Sequence, residues 1–161
     1  EHGLDEAYTD LRELIAHCRV PIEQQGLLPS IERVVKKFRE ETSIHILLQC
    51  ECQDPDVPAN MEMNIYRIVQ EALTNIKKHA NAHIVRVLLS CDGNGNFRIL
   101  IENDGEGFDK ASVESKEGQH LGLTIMQERA RHLGGRLRIE SELEEGTRIE
   151  LKFQYLREQV E

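Results

Sequence analysis

Hydrophobic positions recur at helical spacing in some stretches of the chain and at strand spacing in others. The helix-period stretches are Leu4–Cys18, a stretch from about Pro29, about Asn60 to His79, and Leu121–Leu133. The strand-period stretches are Ser43–Cys52, Val85–Ser90, Phe97–Glu102, Arg136–Ser141 and Thr147–Phe153. Short glycine-containing turns join the last two pairs of strands, which predicts two hairpins. We therefore expect an α/β sandwich, in which a mixed sheet carries helices on one face.

The composition fits one modest domain with an acidic balance. The chain has 161 residues, 39% of them hydrophobic, and its 20 Lys and Arg against 29 Asp and Glu give a net charge of −9. This balance argues against a nucleic-acid partner, because such binding depends on clustered Lys and Arg. No apolar run approaches the roughly 20 residues that span a bilayer. The chain begins at Glu1 without an initiator Met or a signal peptide, so we expect a piece of a longer protein.

The cysteines do not form a recognisable metal or redox motif. They lie at Cys18, Cys50, Cys52 and Cys91, and no two of them form a C-x-x-C pair. Cys50 and Cys52 would lie on one face of a strand, but the sequence offers no partner ligands at metal-binding spacing. We therefore expect reduced cytosolic thiols rather than a metal site.

The most regular helical pattern, about Asn60 to His79, carries a polar cluster beside its core stripe. The stripe consists of Ile65, Ile68, Val69, Ala72, Leu73 and Ile76. At about 100° per residue, Glu71, Asn75 and Lys78 fall within about 60° of one another at the margin of the stripe, with His79 slightly nearer the core. Oxygens that suit Mg²⁺ thus lie beside a cation that suits phosphate. The alternative is an ordinary solvent-exposed helix face on which Glu, Asn and Lys side chains interact with one another. The pattern of this helix, considered by itself, favours that alternative.

Three short glycine-containing segments add candidate chemistry. In Asn103-Asp-Gly-Glu-Gly-Phe108 the glycines permit a tight turn and the close approach of a ligand, and the side-chain oxygen before them could accept a hydrogen bond from an amino-purine. Gly118-Gln-His-Leu-Gly122 precedes a helix, whose free N–H groups suit an anion. Gly146-Thr147 opens the last strand. Each segment has an ordinary alternative as a turn or a helix start.

Taken in order, the motifs resemble those of a known family. The segments YRIVQEALTNIKKHANA (Tyr66–Ala82), NDGEGF (Asn103–Phe108), GQHLGLTIMQERARHLGG (Gly118–Gly135) and EGTRIELKF (Glu145–Phe153) resemble the N, G1, G2 and terminal Gly-Thr boxes of the ATP-binding domain of sensor histidine kinases. That domain has the Bergerat-type ATP-binding fold, which certain chaperones, topoisomerases and anti-sigma kinases share. The segment QEALTNIKKHA, together with LRELIAHCR at Leu11–Arg19, is similar in sequence to the nitrate/nitrite-sensor branch of these kinases. The resemblance covers nearly the whole chain.

The resemblance implies roles for the polar residues of the N box. Glu71 would be the catalytic acid, which polarises the acceptor histidine or positions water. Asn75 would offer its side-chain oxygen to Mg²⁺, Lys78 would neutralise phosphate, and His79 would lie near the phosphate or the ribose. ATP and Mg²⁺ are the cofactors that these roles imply.

The glycine boxes would hold the rest of the nucleotide. Asn103, Asp104, Gly105 and Gly107 would lie at the base, His120, Leu121, Gly122 and Leu123 at the phosphates, and Thr147 beside the adenine. Asn103 stands where the family has an Asp that accepts the adenine amino proton, and the family's Asp-Asn order is reversed to Asn-Asp. An Asn oxygen can still accept this bond, at a loss of about 1 kcal/mol or more. His120 replaces a glycine of the G2 box, as in the nitrate-sensor pattern, and residues Asp109–Gln119 would form a lid.

The implied function is that of the ATP-binding catalytic domain of a two-component sensor histidine kinase. Residues 21–161 would form this domain and residues 1–20 would end the dimerisation region. The γ-phosphoryl group would pass to a histidine of that region in a homodimer and then to a response regulator. The domain would be the cytoplasmic part of an inner-membrane protein, attached to the membrane only through missing regions.

The histidines of this chain limit what it can do alone. None of them lies in the family's phosphoacceptor context, so we expect nucleotide binding without autophosphorylation. Two alternatives have the same fold. One is an anti-sigma-type Ser/Thr kinase, and the other is a module whose changed G1 box leaves a degenerate site.

Overall fold

The computed structural model of the chain describes residues 26–108 and 117–157, with residues 117–120 described in their backbone alone. The predicted Leu4–Cys18 helix, the predicted boundary near residue 20 and most of the predicted lid lie outside these residues. The elements in chain order are α1 (Leu27–Glu41), β1 (His45–Cys50), α2 (Ala59–Asn75) with a π-helical extension (Ile76–Ala80), β2 (Ile84–Cys91), β3 (Asn96–Asn103), α3 (Glu117–His132), β4 (Arg136–Glu142) and β5 (Gly146–Gln154). Within the described ranges no helix is long and apolar enough to cross a bilayer.

The strands form one mixed sheet in the order β1-β2-β3-β5-β4. β1 and β2 are parallel, with α2 in the connection between them, and all other neighbouring strands are antiparallel. The two predicted hairpins, β2–β3 and β4–β5, are both present. α2 packs against α1 and α3, and the three helices share one hydrophobic core with one face of the sheet. The prediction of an α/β sandwich with a mixed sheet is therefore confirmed.

Strand alternation places successive apolar rows on the helix-facing side of the sheet. These rows are Val87–Ile101–Ile149, Leu89–Ile99–Leu151 and Cys91–Phe97–Phe153. The helices cover them with the periodic stripes that the sequence predicted, chiefly Ile31, Val35 and Phe38 of α1, Ile65, Val69 and Leu73 of α2, and Met126, Ala130 and Leu133 of α3. Each large aliphatic side chain buried in this way contributes about 1.5–3 kcal/mol relative to exposure, so the core carries most of the fold's stability.

The opposite face of the sheet carries paired charges. Arg86 of β2 binds Glu102 of β3 at 2.6 Å, and Arg98 of β3 binds Glu150 of β5 at 2.6 Å. Leu100 lies on the same face, between Arg98 and Glu102. It is nevertheless buried, with only 2% of its surface exposed. Opposite charges on neighbouring strands stabilise their pairing. These charged side chains therefore pair with one another within the sheet. The candidate functional site lies on the other, helix-facing side.

Three helix ends differ from the prediction. α1 begins at Leu27 rather than Pro29, because a proline in the first helical turn removes only an N–H that has no helical partner. α3 begins at Glu117 rather than Leu121, so the end of the predicted lid is helical. The last turn after α2 is π-helical and ends at Ala80 rather than His79, and the next residue, Asn81, has a left-handed φ of 47°.

The expectation of reduced thiols is wrong for one pair of cysteines. Cys52 and Cys91 form a disulfide with their Cα atoms 5.2 Å apart, while Cys50 is a free thiol. The parallel register explains this pairing, because Cys50 lies opposite Leu89. Two residues further along both chains, Cys52 therefore comes beside Cys91. Sequence spacing alone does not show which strands are parallel neighbours, and so it does not predict this bond.

Candidate functional site

The polar side of α2 meets the first part of α3 at Gly122. A β carbon placed on Gly122 would lie 2.5 Å from Oε1 of Glu71 and 3.8 Å from Nδ2 of Asn75. Gly122 is buried, and Glu71 and Asn75 are part-buried. A side chain at position 122 would displace the carboxylate, so glycine lets Glu71 keep its observed position. The structure thus brings together three of the residues that the sequence singled out in two separate segments.

The donor set of α2 fits a cation that is shared with a phosphate ligand. Among the described residues, no group of three or more His, Cys, Asp or Glu could hold a metal ion by itself. Mg²⁺ keeps several water or phosphate oxygens in its octahedral shell and takes few ligands from the protein. Asn75 therefore fits as a protein ligand of a magnesium–nucleotide complex, whereas a self-contained metal site does not fit these residues.

Lys78 and His79 lie on the π-helical turn that continues α2. Both side chains are exposed, and both interact with other parts of the chain. π-Helical turns recur at functional sites, because the extra residue changes the direction of the side chains that follow. The two basic residues therefore follow Glu71 and Asn75 at the end of the helix, next to the loop that leaves β3.

That loop, Asp104–Phe108, is fastened to the end of the π-helical turn. The Glu106 N–H donates a 2.7 Å hydrogen bond to the carbonyl oxygen of Ala80, and a β carbon on Gly105 would overlap the same oxygen. Gly107 has a φ of 64°, and it lies against the carbonyl oxygen of Glu142. Both glycines thus permit close approach to the protein's own backbone. Their approach to a purine base stays a prediction.

Asn103 and Thr147 lie opposite each other at the ends of β3 and β5. The Asn103 Oδ1 accepts a 2.8 Å hydrogen bond from the Gly105 N–H. Thr147 Oγ1 lies 2.8 Å from Oγ of Ser141, which also accepts a hydrogen bond from the Phe108 N–H. Ser141 was not among the predicted site residues. A signal was present, because Leu137, Ile139 and Ser141 alternate along β4 and only the third is polar on that face.

Asp104 is directed to a different place from Asn103. Its Oδ1 accepts hydrogen bonds from the backbone N–H groups of His83 and Ile84, at 2.8 and 2.9 Å. The bond from Ile84, followed by that from His83, lowers the pKa of the Asp104 carboxyl below its ordinary value. Asp104 thus fixes the entry into β2. A contact with the base stays a prediction for this residue.

The predicted phosphate segment offers mainly backbone. Leu121 is 59% exposed, Leu123 packs against the core, and the side chain of His120 lies outside the described atoms. Gly122 has no side chain, and it faces Glu71. N–H groups near a helix N-terminus suit anions, so a phosphate contact of this segment would involve backbone rather than the leucine side chains.

A family model matches more than half of this chain. Residues 60–157 match the family described as histidine kinase-, DNA gyrase B-, and HSP90-like ATPase. A NarQ sensor homolog of Haemophilus influenzae is 30% identical over 151 residues, which are 94% of this chain and 26% of that protein. The Bacillus subtilis sensor histidine kinase LiaS is 34% identical over 153 residues, 94% of this chain and 41% of LiaS. The chain thus spans about a quarter to two fifths of the length of these relatives.

Solved structures show the same fold. The histidine kinase domain of the blue-light activated kinase EL346 from Erythrobacter litoralis superposes with a TM-score of 0.66 at 21% identity, over 80% of this chain and 61% of that one. The mycobacterial sensor histidine kinase MprB gives a TM-score of 0.64 at 21% identity, over 80% of this chain and 94% of that one. At this identity the likeness concerns the fold alone.

Proposed function

Because the chain belongs to the histidine kinase-, DNA gyrase B- and HSP90-like ATPase family, we propose that it is the ATP-binding catalytic domain of a sensor histidine kinase. The observation that carries this proposal is the position of Gly122 directly beside the side chains of Glu71 and Asn75. It joins the polar face of the N box to the glycine box at the start of α3. Positioning and charge neutralisation are the main requirements of phosphoryl transfer, and this junction can meet both.

Each residue of the junction has a role in this proposal. Asn75 would hold Mg²⁺, and the ion would supply positive charge to the nucleotide phosphates. Lys78 adds a positive charge at the end of the same helix. Glu71 holds or orients the proton of the acceptor histidine, a role that suits a part-buried carboxylate. The backbone around Gly122 faces the phosphates.

The rest of the phosphorelay belongs to regions beyond this domain. In the proposal, residues 21–161 bind the nucleotide, residues 1–20 end the dimerisation region, and the acceptor histidine is carried by that region in a homodimer. A response regulator then receives the phosphoryl group, and the membrane is reached only through other regions. The relatives support a sensor kinase of this general kind, and NarQ is among them together with LiaS and VraS. A kinase of the nitrate/nitrite-sensor type is the finer proposal, and the sequence of the segment QEALTNIKKHA supports it.

Calorimetric titration of Mg-ADP and Mg-ATP into the chain tests the binding step. We expect dissociation constants between micromolar and sub-millimolar, and their loss in Asn75→Ala. Asn60→Ala is the matched control, because Asn60 is exposed on the first turn of the same helix. Absence of heat at millimolar nucleotide would contradict the proposal and favour a degenerate site.

Phosphoryl transfer is tested separately with radiolabelled ATP. The isolated chain should remain unlabelled on histidine, whereas a dimerisation domain supplied by the full-length protein should become labelled. Glu71→Gln should retain nucleotide binding and lose most of this labelling, because an amide cannot take up a proton. Labelling at the unmodified rate in Glu71→Gln would contradict the role given to Glu71.

A further inference from the structure

We propose that β4 is a self-association edge, at which a second copy of this chain adds its own β4 in antiparallel pairing. The two five-stranded sheets then join into one continuous sheet across a two-fold axis. This contact goes beyond the proposed nucleotide-binding function and does not depend on it. It is also separate from the dimerisation region that residues 1–20 are proposed to end.

β4 lies at one edge of the sheet, where only β5 pairs with it. Among the described residues, no backbone group outside β5 forms a hydrogen bond with the backbone of Arg136–Ser141. The opposite edge, β1, is partly closed, because the guanidinium of Arg39 donates a 3.1 Å hydrogen bond to the carbonyl oxygen of Ile46. An unpaired edge presents a row of N–H and C=O groups to another strand. β4 therefore has an open edge that can take a further strand.

The charged side chains of β4 are complementary to their own reverse order. On the face of the sheet away from the helices, the strand carries two cations followed by two anions, namely Arg136, Arg138, Glu140 and Glu142. All four are exposed. In an antiparallel pair centred on Ile139, Arg136 lies opposite Glu142 of the second copy, and Arg138 lies opposite Glu140. Opposite charges directly across two strands stabilise their pairing.

The same charges disfavour other arrangements of the two strands. A parallel pair in register would place each Arg opposite an Arg and each Glu opposite a Glu. An antiparallel pair shifted by two residues would place either Arg138 or Glu140 opposite its own copy, depending on the direction of the shift. Like charges directly opposite each other destabilise a strand pair. The charge order of β4 thus selects one register by repulsion as well as by attraction.

One copy of the chain neutralises these charges only in part. Arg138 binds Glu140 at 2.7 Å along the strand, but no ion pair within the described part of the chain includes Arg136 or Glu142. The Glu142 side chain lies instead beside Glu145. Its hydrogen bond, followed by its charge, raises the pKa of the Glu145 carboxyl above the ordinary value. A second copy brings Arg136 to this acidic pair and supplies the missing counter-charge.

The helix-facing side of β4 suits the same register. Ile139 is 6% exposed and would lie opposite its own copy at the centre of the pair. Leu137, which is part-buried at the margin of the core, would lie opposite Ser141. No charged side chain of β4 is on this face, and the strand contains no proline. Inward-pointing charges and prolines are means by which natural edge strands avoid pairing, so β4 lacks these two protections.

The size of the contact predicts weak association of the isolated chain. Edge pairing over the seven residues of β4 is a small contact, at the low end of specific interfaces. We therefore expect a dissociation constant between about 10 µM and 1 mM at low salt. Because the four charged side chains are exposed, added salt should weaken the dimer. A dimerisation region elsewhere in a longer protein would raise the local concentration of the two edges.

Sedimentation equilibrium of two charge-reversed variants tests the pairing. Arg136→Glu with Arg138→Glu leaves only negative charges on the outward face of β4, and Glu140→Arg with Glu142→Arg leaves only positive charges. Each variant alone should have a dissociation constant raised about tenfold or more. An equimolar mixture of the two should form a heterodimer at least as tightly as the unmodified chain forms its dimer, because every cross-strand pair is again of opposite charge.

Two controls accompany this experiment. Lys36→Glu with Lys37→Glu changes the net charge as much as the first variant, at exposed positions of α1, and should leave self-association within about threefold. Amide hydrogen exchange then locates the contact. Exchange in β4 of the unmodified chain should be slower at high than at low protein concentration, whereas β1, the other edge of the same sheet, should not change.

The outcomes decide the inference without reference to nucleotide binding. A chain that stays monomeric at millimolar concentration and low salt would overturn it and leave the β4 edge to a different partner. A mixture of the two charge-reversed variants that stays monomeric would also overturn it. Self-association that is unchanged in both variants, or protection in β1 rather than β4, would assign the contact to another surface and contradict the proposal.

Discussion

Gly122 of α3 lies so close to Glu71 of α2 that a β carbon on the glycine would be 2.5 Å from the carboxylate oxygen. The missing side chain lets the two helices approach at the point where the proposed catalytic acid projects. Because the contacting atom is the far end of a flexible side chain, crowding at this point would move the carboxylate rather than the helices. The position of Glu71 is thus coupled to the size of residue 122.

Gly122→Ala should separate stability from activity. Alanine favours a helix over glycine by about 1 kcal/mol, so the melting temperature should stay the same or rise. Its methyl group should displace the Glu71 carboxylate and stand 3.8 Å from Asn75, beside the backbone that is proposed to face the phosphates, and we therefore expect Mg-ATP affinity to fall about tenfold. Thermal unfolding and calorimetry on one protein sample measure both effects. Gln127→Ala, exposed on the same helix, is the control; equal nucleotide affinities in both variants would contradict the coupling.

Gly105→Ala, unlike Gly122→Ala, should lower the free energy of unfolding. A methyl group there would overlap the Ala80 carbonyl oxygen, which belongs to the backbone and cannot rotate away. The loop must then shift, and the Glu106–Ala80 hydrogen bond is strained or lost. Overpacking of this kind costs about 1–3 kcal/mol, which urea unfolding would resolve. Stability equal to that of the unmodified chain would show that the loop is not held by this contact.

Periodicity predicted the parts of this fold that depend on burial alone. The alternation of Val85, Val87 and Leu89 indicates a strand with one buried face, and the stripe through Ile65, Ala72 and Ile76 indicates a helix on that face. The folded structure keeps such patterns because moving a strand by one residue would expose every core side chain. The sheet, both hairpins and the helix layer were predictable for this reason.

The parts that depend on neighbours from distant segments were not predictable in the same way. The Cys52–Cys91 bond requires the parallel register of β1 and β2, and Ser141 comes beside the candidate site residue Thr147 only through the pairing of β4 with β5. Sequence order placed Asn103 and Asp104 side by side in one candidate site. Folding separates them, because consecutive side chains at the end of a strand point in opposite directions.

Asp104→Ala should weaken the entry into β2 in a pH-dependent way. The carboxylate accepts two backbone N–H groups, and their loss should cost about 1 kcal/mol at pH 7, a modest value because the side chain is 46% exposed. The fold lowers the pKa of Asp104 below its ordinary value of 3.8. This stabilisation is therefore complete above about pH 4 and disappears as the pH falls through the lowered pKa.

Urea unfolding of the unmodified chain and of Asp104→Ala at pH 7, 5 and 3 would measure this contribution. The difference between the two proteins should be similar at pH 7 and 5 and smaller at pH 3. A difference that is independent of pH would contradict a role for the ionised carboxylate.

The Cys52–Cys91 disulfide should stabilise the chain under oxidising conditions. It closes a loop across a sequence separation of 39 residues that contains the whole of α2. Closing a loop of this size restricts the unfolded chain and is worth about 3–4 kcal/mol in the chain-entropy model. Reduction with a dithiol should therefore lower the melting temperature by roughly 10 °C. Cys52→Ser should give the reduced value with or without reductant, and Cys50→Ser, which removes the neighbouring free thiol, should keep the full response. If reductant leaves the melting temperature of the unmodified chain unchanged, the bond does not contribute to its stability.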